Sequence, residues 1–168
     1  MHTRETVYQI AFLVENAQAA AQHWLQRGAG PFYSFDSFEF TEMLHPAGSA
    51  SPRLSIMLGY HGDVMLELMQ VLEDPTGVFS AQQVPGPHHL ALLVDDIDDY
   101  LARRGGRDTL AMHALFPTGT PIAMLDTRAD TGLFTELVTC DEAVQGMLAV
   151  MQEATASFDG TEPIRSFE

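Results

Sequence analysis

The sequence predicts an α+β fold built from two β-α-β-β-β halves, with a helix appended at the C-terminus. Three observations predict it. The segment Gln9-Ile10-Ala11-Phe12-Leu13-Val14-Glu15-Asn16 reappears 80 positions later as His89-Leu90-Ala91-Leu92-Leu93-Val94-Asp95-Asp96. Each copy is a short apolar strand that runs into a polar cap and then into helical spacing. Each half ends on a Glu set in an apolar strand, Leu66-Glu67-Leu68 in the first and Thr135-Glu136-Leu137 in the second.

In chain order, Val7 to Val14 is the first strand. Asn16 is a fitting N-cap for a helix whose apolar stripe is Ala17, Ala20, Ala21 and Trp24, and Gly28 and Gly30 end it. Three strands are expected next, over 31–40, 53–60 and 63–71. His61-Gly62 forms a hairpin turn between the last two, and the Pro- and Gly-containing stretch 45–52 is a loop. The second half opens with the strand 88–94. Asp95 or Asp96 caps a helix carrying Ile97, Tyr100 and Leu101, and Gly105-Gly106 stops it. Strands over 109–116, 120–126 and 132–139 complete the half. A helix over 141–156 places Val144, Met147, Leu148 and Met151 on one face, as a core or dimer contact. The expected organisation is a single domain over 1–168. It comprises a first module at 6–72, a linker at 73–87, a second module at 88–140 and a C-terminal helix and tail at 141–168.

Composition narrows the function. The chain of 168 residues is 46% hydrophobic and 18% charged, which suits a packed globular core. No apolar run reaches the roughly 20 residues of a membrane span, so no membrane partner is expected. A net charge of −15, with 8 basic residues that are all Arg, argues against nucleic acid, whose phosphates need a basic face. The absence of Lys excludes Schiff-base chemistry. Arg103, Arg104 and Arg107 form one basic cluster, which reads as a helix C-terminus balancing its macrodipole. The single Cys140 fits a reducing cytoplasm, the expected location.

Strand alternation groups the polar residues. Gln9, Ala11 and Leu13 share one face, as do His89, Ala91 and Leu93. Met65, Glu67, Met69 and Val71 line a third, and Phe134, Glu136 and Val138 a fourth. If these faces converge, Gln9, Glu67, His89 and Glu136 stand together in an apolar wall. Two ionised carboxylates there are costly unless paired, protonated or bound to a cation. An oxygen-rich set with one imidazole suits a divalent metal ion that keeps exchangeable positions, such as Zn, Ni, Co, Mn or Fe. His88 alternates to the other face and reads as structural. Trp24, Tyr33, Tyr60 and His113 are further aromatic candidates for a pocket.

The run from Gly86 to Asp98, Gly-Pro-His-His-Leu-Ala-Leu-Leu-Val-Asp-Asp-Ile-Asp, resembles the second-module opening of the epimerase-like branch of the vicinal oxygen chelate superfamily. That superfamily includes glyoxalase, methylmalonyl-CoA epimerase, extradiol dioxygenases and bleomycin-resistance proteins. Leu66-Glu67-Leu68-Met69-Gln70 and Phe134-Thr135-Glu136-Leu137-Val138 match its pattern as well. The resemblance covers residues 6 to 139 and implies a half-open mixed β-barrel. By position it implies Gln9, Glu67, His89 and Glu136 as metal ligands, a set similar to that of eukaryotic-type glyoxalase I. Leu13 stands where that enzyme's glutathione-gripping Arg is expected, and Ser55 falls near the place of the epimerases' second acid. Gln9 in place of a His disfavours the dioxygenase reading.

The leading expectation is a metal-dependent isomerase, epimerase or lyase for a small, largely apolar carbonyl substrate. Glu136, or Glu67 across the site, would serve as general base. Two alternatives belong beside it: a non-catalytic binding or resistance protein that takes an organic cation, and a metal-free isomerase or cyclase using the two Glu as an acid/base pair. A homodimer is expected, with the halves pairing within one chain or by exchange between subunits.

Overall fold

The computed structural model describes residues 5–80, 85–104 and 109–167. It contains ten strands in one mixed sheet: β1 (Thr6–Leu13), β2 (Phe32–Phe38), β3 (Thr41–Leu44), β4 (Arg53–His61), β5 (Val64–Glu73), β6 (Gly86–Val94), β7 (Leu110–Leu115), β8 (Pro121–Leu125), β9 (Phe134–Thr139) and β10 (Ile164–Arg165). Four helices accompany them: α1 (Ala17–Leu25), α2 (Ile97–Arg104), α3 (Arg128–Thr131) and α4 (Glu142–Ala156). The strand order is β10-β2-β4-β5-β1-β6-β9-β8-β7-β3. β2-β4-β5-β1 is thus mirrored by β7-β8-β9-β6, and the two runs join within one chain along the antiparallel seam β1–β6. The architecture is α+β with a half-open barrel.

The helices begin where their caps dictate. The Ala19 amide donates to Asn16 Oδ1 (2.7 Å), the Asp99 amide to Asp96 Oδ1 (2.7 Å) and the Val144 amide to Asp141 Oδ1 (2.9 Å). α1 and α2 cover the outer face of the sheet: Ala17 and Ala21 pack with Leu66 and Leu68, and Ile97 and Leu101 with Ala123 and Leu137. α4 joins the inner core through Val144 and Met151, so its apolar stripe is a core contact. The β4–β5 hairpin turns on Gly62-Asp63, one residue later than the expected His61-Gly62 because His61 still pairs with Val64, and Gly62 is at φ 61 in the left-handed region. The expected Gly105-Gly106 stop and Arg107 lie outside the described residues, as does part of the 73–87 linker. Arg103 and Arg104 pair with Asp99 and Glu5.

Three features depart from the expected outline. The strand expected over 31–40 is two strands that part at Glu39-Phe40. β2 holds one flank of the sheet, whereas β3 pairs with β7 on the other. A two-residue link cannot reach across a flat ten-stranded sheet. The sheet is therefore bent enough for its flanks to approach, and Phe38 and Phe40 meet Phe116 there at 6.1 and 6.0 Å between ring centres. The tail adds β10, which pairs in parallel with β2. The segment expected as a bare linker buries Val78 and Phe79 in the core. Asp74 orders it: Oδ1 accepts from the Thr76 and Gly77 amides, and Oδ2 from the Ser80 amide and hydroxyl.

Candidate metal centre and cavity

The four polar residues grouped by alternation meet at the β1–β6 seam. Register explains why. Ala11 of β1 pairs with Glu67 on one side and His89 on the other, while Ala91 of β6 pairs with Gln9 and Glu136. Ala11 and Ala91 are fully buried and occupy equivalent positions in the two halves. Their methyl groups leave room between them for the four longer side chains.

The Gln9 amide donates from Nε2 to Glu67 Oε2 at 2.7 Å, and the same nitrogen lies 3.5 Å from His89 Nε2. His89 Nε2 is 3.2 Å from Glu67 Oε2 and 3.5 Å from Glu136 Oε2. Gln9, His89 and Glu136 are buried, and the Glu67 side chain is 12% exposed. As they stand, these groups bond to one another, and among the described residues no group of His, Cys, Asp and Glu forms a ready metal cage. The donor spacing nevertheless suits an ion. Neighbouring donors around a six-coordinate cation with bonds of about 2.1 Å are separated by about 3 Å. Turning the Gln9 amide by half a rotation would present its oxygen to the same centre.

Electrostatics agree with the geometry. Burial disfavours a charged His89, but the Glu136 and Glu67 carboxylates outweigh it and lift the imidazole to about 9. Burial raises Glu67, partly offset by its hydrogen bond and charge interaction with His89. Without a metal, one proton on His89 therefore holds the two carboxylates together. A divalent ion would replace that proton.

His88, expected from alternation to be structural on the opposite face, is fully buried beside His89. Ala11 faces His89 and Phe12 faces Pro87, so His88 is the extra residue of a β-bulge. Its ring stacks between Phe79 and Phe134 at 5.4 and 4.9 Å. Nε2 donates to the Val78 carbonyl (3.1 Å), and Nδ1 lies 2.9 Å from His89 Nδ1. Burial, then the His89 charge, pushes His88 down to about 3, so it stays neutral. Its bare Nδ1 then accepts from His89 Nδ1–H. That bond fixes the His89 tautomer and aims Nε2 at the carboxylates, as the outer partners of metal-binding imidazoles do. The His-His doublet after a proline was the available signal.

Tyr8 was also missed. Val7 pairs with Leu92 and Gln9 with Ala91, so Tyr8 is the extra residue of a second bulge and reaches the same cavity as its neighbour Gln9. Burial, followed by the Glu136 and Glu67 charges, raises its phenol well above the ordinary value, so it remains a proton donor.

Above these groups opens a cavity of about 430 Å³. Its walls include Phe35, Phe38, Phe40, Phe79 and Phe116, with Leu54, Ile56 and Met69 from β4 and β5. None of Trp24, Tyr33, Tyr60 and His113 lines it. Trp24 belongs to α1 and packs against the outer-face cluster, Tyr33 and Tyr60 are core residues, and His113 faces a separate cleft beside α2. Ser55 is absent from the lining and sits between Leu54 and Ile56, which do line it. It therefore faces away from the cavity.

A mirrored sheet with four polar groups at its seam defines the class. The sequence model of the Glyoxalase/Bleomycin resistance protein/Dioxygenase superfamily matches residues 8–107, more than half of the chain. The protein belongs to that superfamily. Among solved structures it is similar to a hypothetical protein from Bacillus halodurans C-125, at 16% identity and TM-score 0.56, covering 82% of this chain and 96% of that one. It is also similar to methylmalonyl-CoA epimerase from Mycobacterium tuberculosis, at 17% identity and TM-score 0.53, covering 87% and 97%. A methylmalonyl-CoA epimerase in complex with methylmalonyl-CoA and NH4+ aligns at 22% identity and TM-score 0.51, covering 83% and 96%. These similarities establish the fold. No curated protein matches the chain.

Proposed function

We propose that this chain is a metal-dependent isomerase, epimerase or lyase that moves a proton next to a carbonyl of a small, largely apolar substrate. The observation that carries the reading is the convergence of Gln9, Glu67, His89 and Glu136 on the floor of an otherwise apolar cavity. These four residues would hold the divalent cation, which when bound polarises the substrate carbonyl and stabilises the developing enolate. Gln9 and His89 hold and orient. Glu67 is tied to both, at 2.7 and 3.2 Å, whereas Glu136 has a single longer contact of 3.5 Å with His89. Glu136 is thus the freer carboxylate and the general base. Tyr8 would supply a hydrogen bond to the substrate oxygen, and the phenylalanine walls would exclude water from the enolate.

A second reading has its own support. The His89 proton already holds the two carboxylates together, so the Glu pair could transfer protons with no metal.

Elemental analysis combined with hydrogen–deuterium exchange at the substrate's acidic carbon tests both. Glu136→Gln is expected to keep its metal and lose exchange by about 10²–10⁴-fold. A metal-replete variant with undiminished exchange removes Glu136 from this role. Full turnover after chelation would favour the metal-free reading.

A further inference from the structure

We propose that the cavity is built for an uncharged aromatic substrate of two to three rings, held in a phenylalanine cage whose roof is the C-terminal tail. This deepens the proposed function, which leaves the substrate class open.

The cage is a continuous chain of rings. Phe35 meets Phe38 edge-on at 6.2 Å and Phe38 meets Phe40 edge-on at 4.9 Å, while Phe40 lies parallel to Phe79 at 6.3 Å and to Phe116 at 6.0 Å. Four different parts of the chain supply these rings: β2, the crossing link, the 74–80 loop and the end of β7. Aromatic faces assembled in this way favour stacked and edge-to-face contact with a planar guest. Size agrees as well. An apolar cavity of roughly 150 Å³ holds one benzene, so about 430 Å³ admits two to three rings.

Charge narrows the class further. Gln9, Glu67, His89 and Glu136 are gathered at one end of the cavity, and none of the described arginines lines it. The six described arginines are all engaged elsewhere: Arg53, Arg103, Arg104 and Arg128 in ion pairs, and Arg27 and Arg165 with backbone carbonyls. A carboxylate or phosphate deep in the cage would meet two carboxylates against a single imidazolium, with no described Arg to offset them. An organic cation would meet the same imidazolium or the ion that replaces it, and with that ion bound the floor carries no net negative charge to attract it. A neutral ring system with its oxygen end on the floor suits both ends of the cavity.

The tail supplies the roof. Phe167 lines the cavity, stacks on Tyr33 at 4.4 Å and tilts against Phe35 at 5.7 Å. β10 anchors it through only two register pairs, Ile164–Phe32 and Arg165–Tyr33. Met147 and Val144 of α4 close the adjoining wall.

The test is calorimetric titration of the full chain, both metal-free and metal-loaded, with five probes. Dibenzoylmethane is the neutral aromatic diketone and acetylacetone its aliphatic counterpart. Phenylpyruvate, benzyltrimethylammonium and methylmalonyl-CoA are the charged comparators. Dibenzoylmethane is expected to bind at least about tenfold more tightly than each of the others. Phe167→Ala, at the chain end, and Phe38→Leu are expected to weaken it by about fivefold or more without changing metal content. Equal or tighter binding of any other probe overturns the proposal, as does wild-type affinity in both variants. Aromatic binding without metal or proton exchange would leave the cage standing and remove the enzymatic reading. Proton exchange on aliphatic substrates without aromatic affinity would do the reverse.

Discussion

Raising the pH of the metal-free protein should unfasten its site through one identifiable group. His89 is lifted from 6.5 to about 9 by the two carboxylates. The folded state therefore binds the proton more tightly than the unfolded chain, and the resulting stability is fully present below about pH 6.5. It is lost as pH rises through 9. The difference of 2.5 units, at about 1.4 kcal/mol per unit, amounts to about 3 kcal/mol. For a chain of this size, about 3 kcal/mol corresponds to a fall in Tm of roughly 6–12 °C. Urea denaturation of chelator-treated protein at pH 6.5 and 9.5, alongside His89→Gln, measures it. The variant should show little of the slope. Saturating Zn2+ should flatten the wild-type slope, because the ion takes the proton's place. Ion binding should release about one proton at pH 7, and the apparent affinity should rise about tenfold per pH unit until pH 9. An equal slope in wild type and His89→Gln would refute the assignment of this proton.

Three other perturbations follow from the same contacts. His88→Phe keeps the stack with Phe79 and Phe134 but removes the acceptor that fixes the His89 tautomer. Metal affinity should fall by about 10–100-fold, with a shifted pH profile of binding that a purely structural loss would not produce. Asp74→Ala removes the acceptor for Thr76, Gly77 and Ser80. These hydrogen bonds, working against burial, hold its carboxyl below the ordinary value, so denaturation should show a loss of about 2 kcal/mol at pH 7. The loss should shrink as pH falls through the carboxyl range, where wild-type Asp74 is itself protonated. Gly59→Ala would bring a Cβ within 2.6 Å of the Phe32 ring. It should cost about 1–3 kcal/mol, with the metal site unaffected.

Much of this architecture was legible because strand alternation is strict. A period of two placed Gln9, Glu67, His89 and Glu136 on four inward faces, and the apolar flanks of each strand left little choice of register. The residues whose part in the site went unread were those where that period breaks. Tyr8 and His88 sit at bulges, which insert one residue and re-aim it; the Pro87-His88-His89 run was the one local sign, and nothing local marks Tyr8. Phe40 and Phe79 were hidden for a different reason. Their roles depend on a crossing between sheet flanks and on a loop packed by tertiary contacts, both long-range events. The Asp74, Thr76 and Ser80 spacing was a readable sign that 74–80 is ordered. Phe167 gave no sign, because a two-residue strand has no periodicity.

The internal repeat explains how such a site arises and why it is directional. Ala11 and Ala91 are related by the repeat, and so are the carboxylates paired with them, Glu67 and Glu136. Symmetry alone would give two equivalent acids around two small residues. The difference lies at one repeated position, which is the amide of Gln9 in the first half and the imidazole of His89 in the second. Because the amide carries no titratable proton, the two carboxylates share a single cationic partner, and the site is left one charge short of neutrality when both are ionised. A divalent ion with neutral His89 removes that deficit, and protonation of one carboxylate does so in its absence. Gln9 also ties down Glu67 but not Glu136. The same difference that breaks the symmetry thus separates a held carboxylate from a freer one.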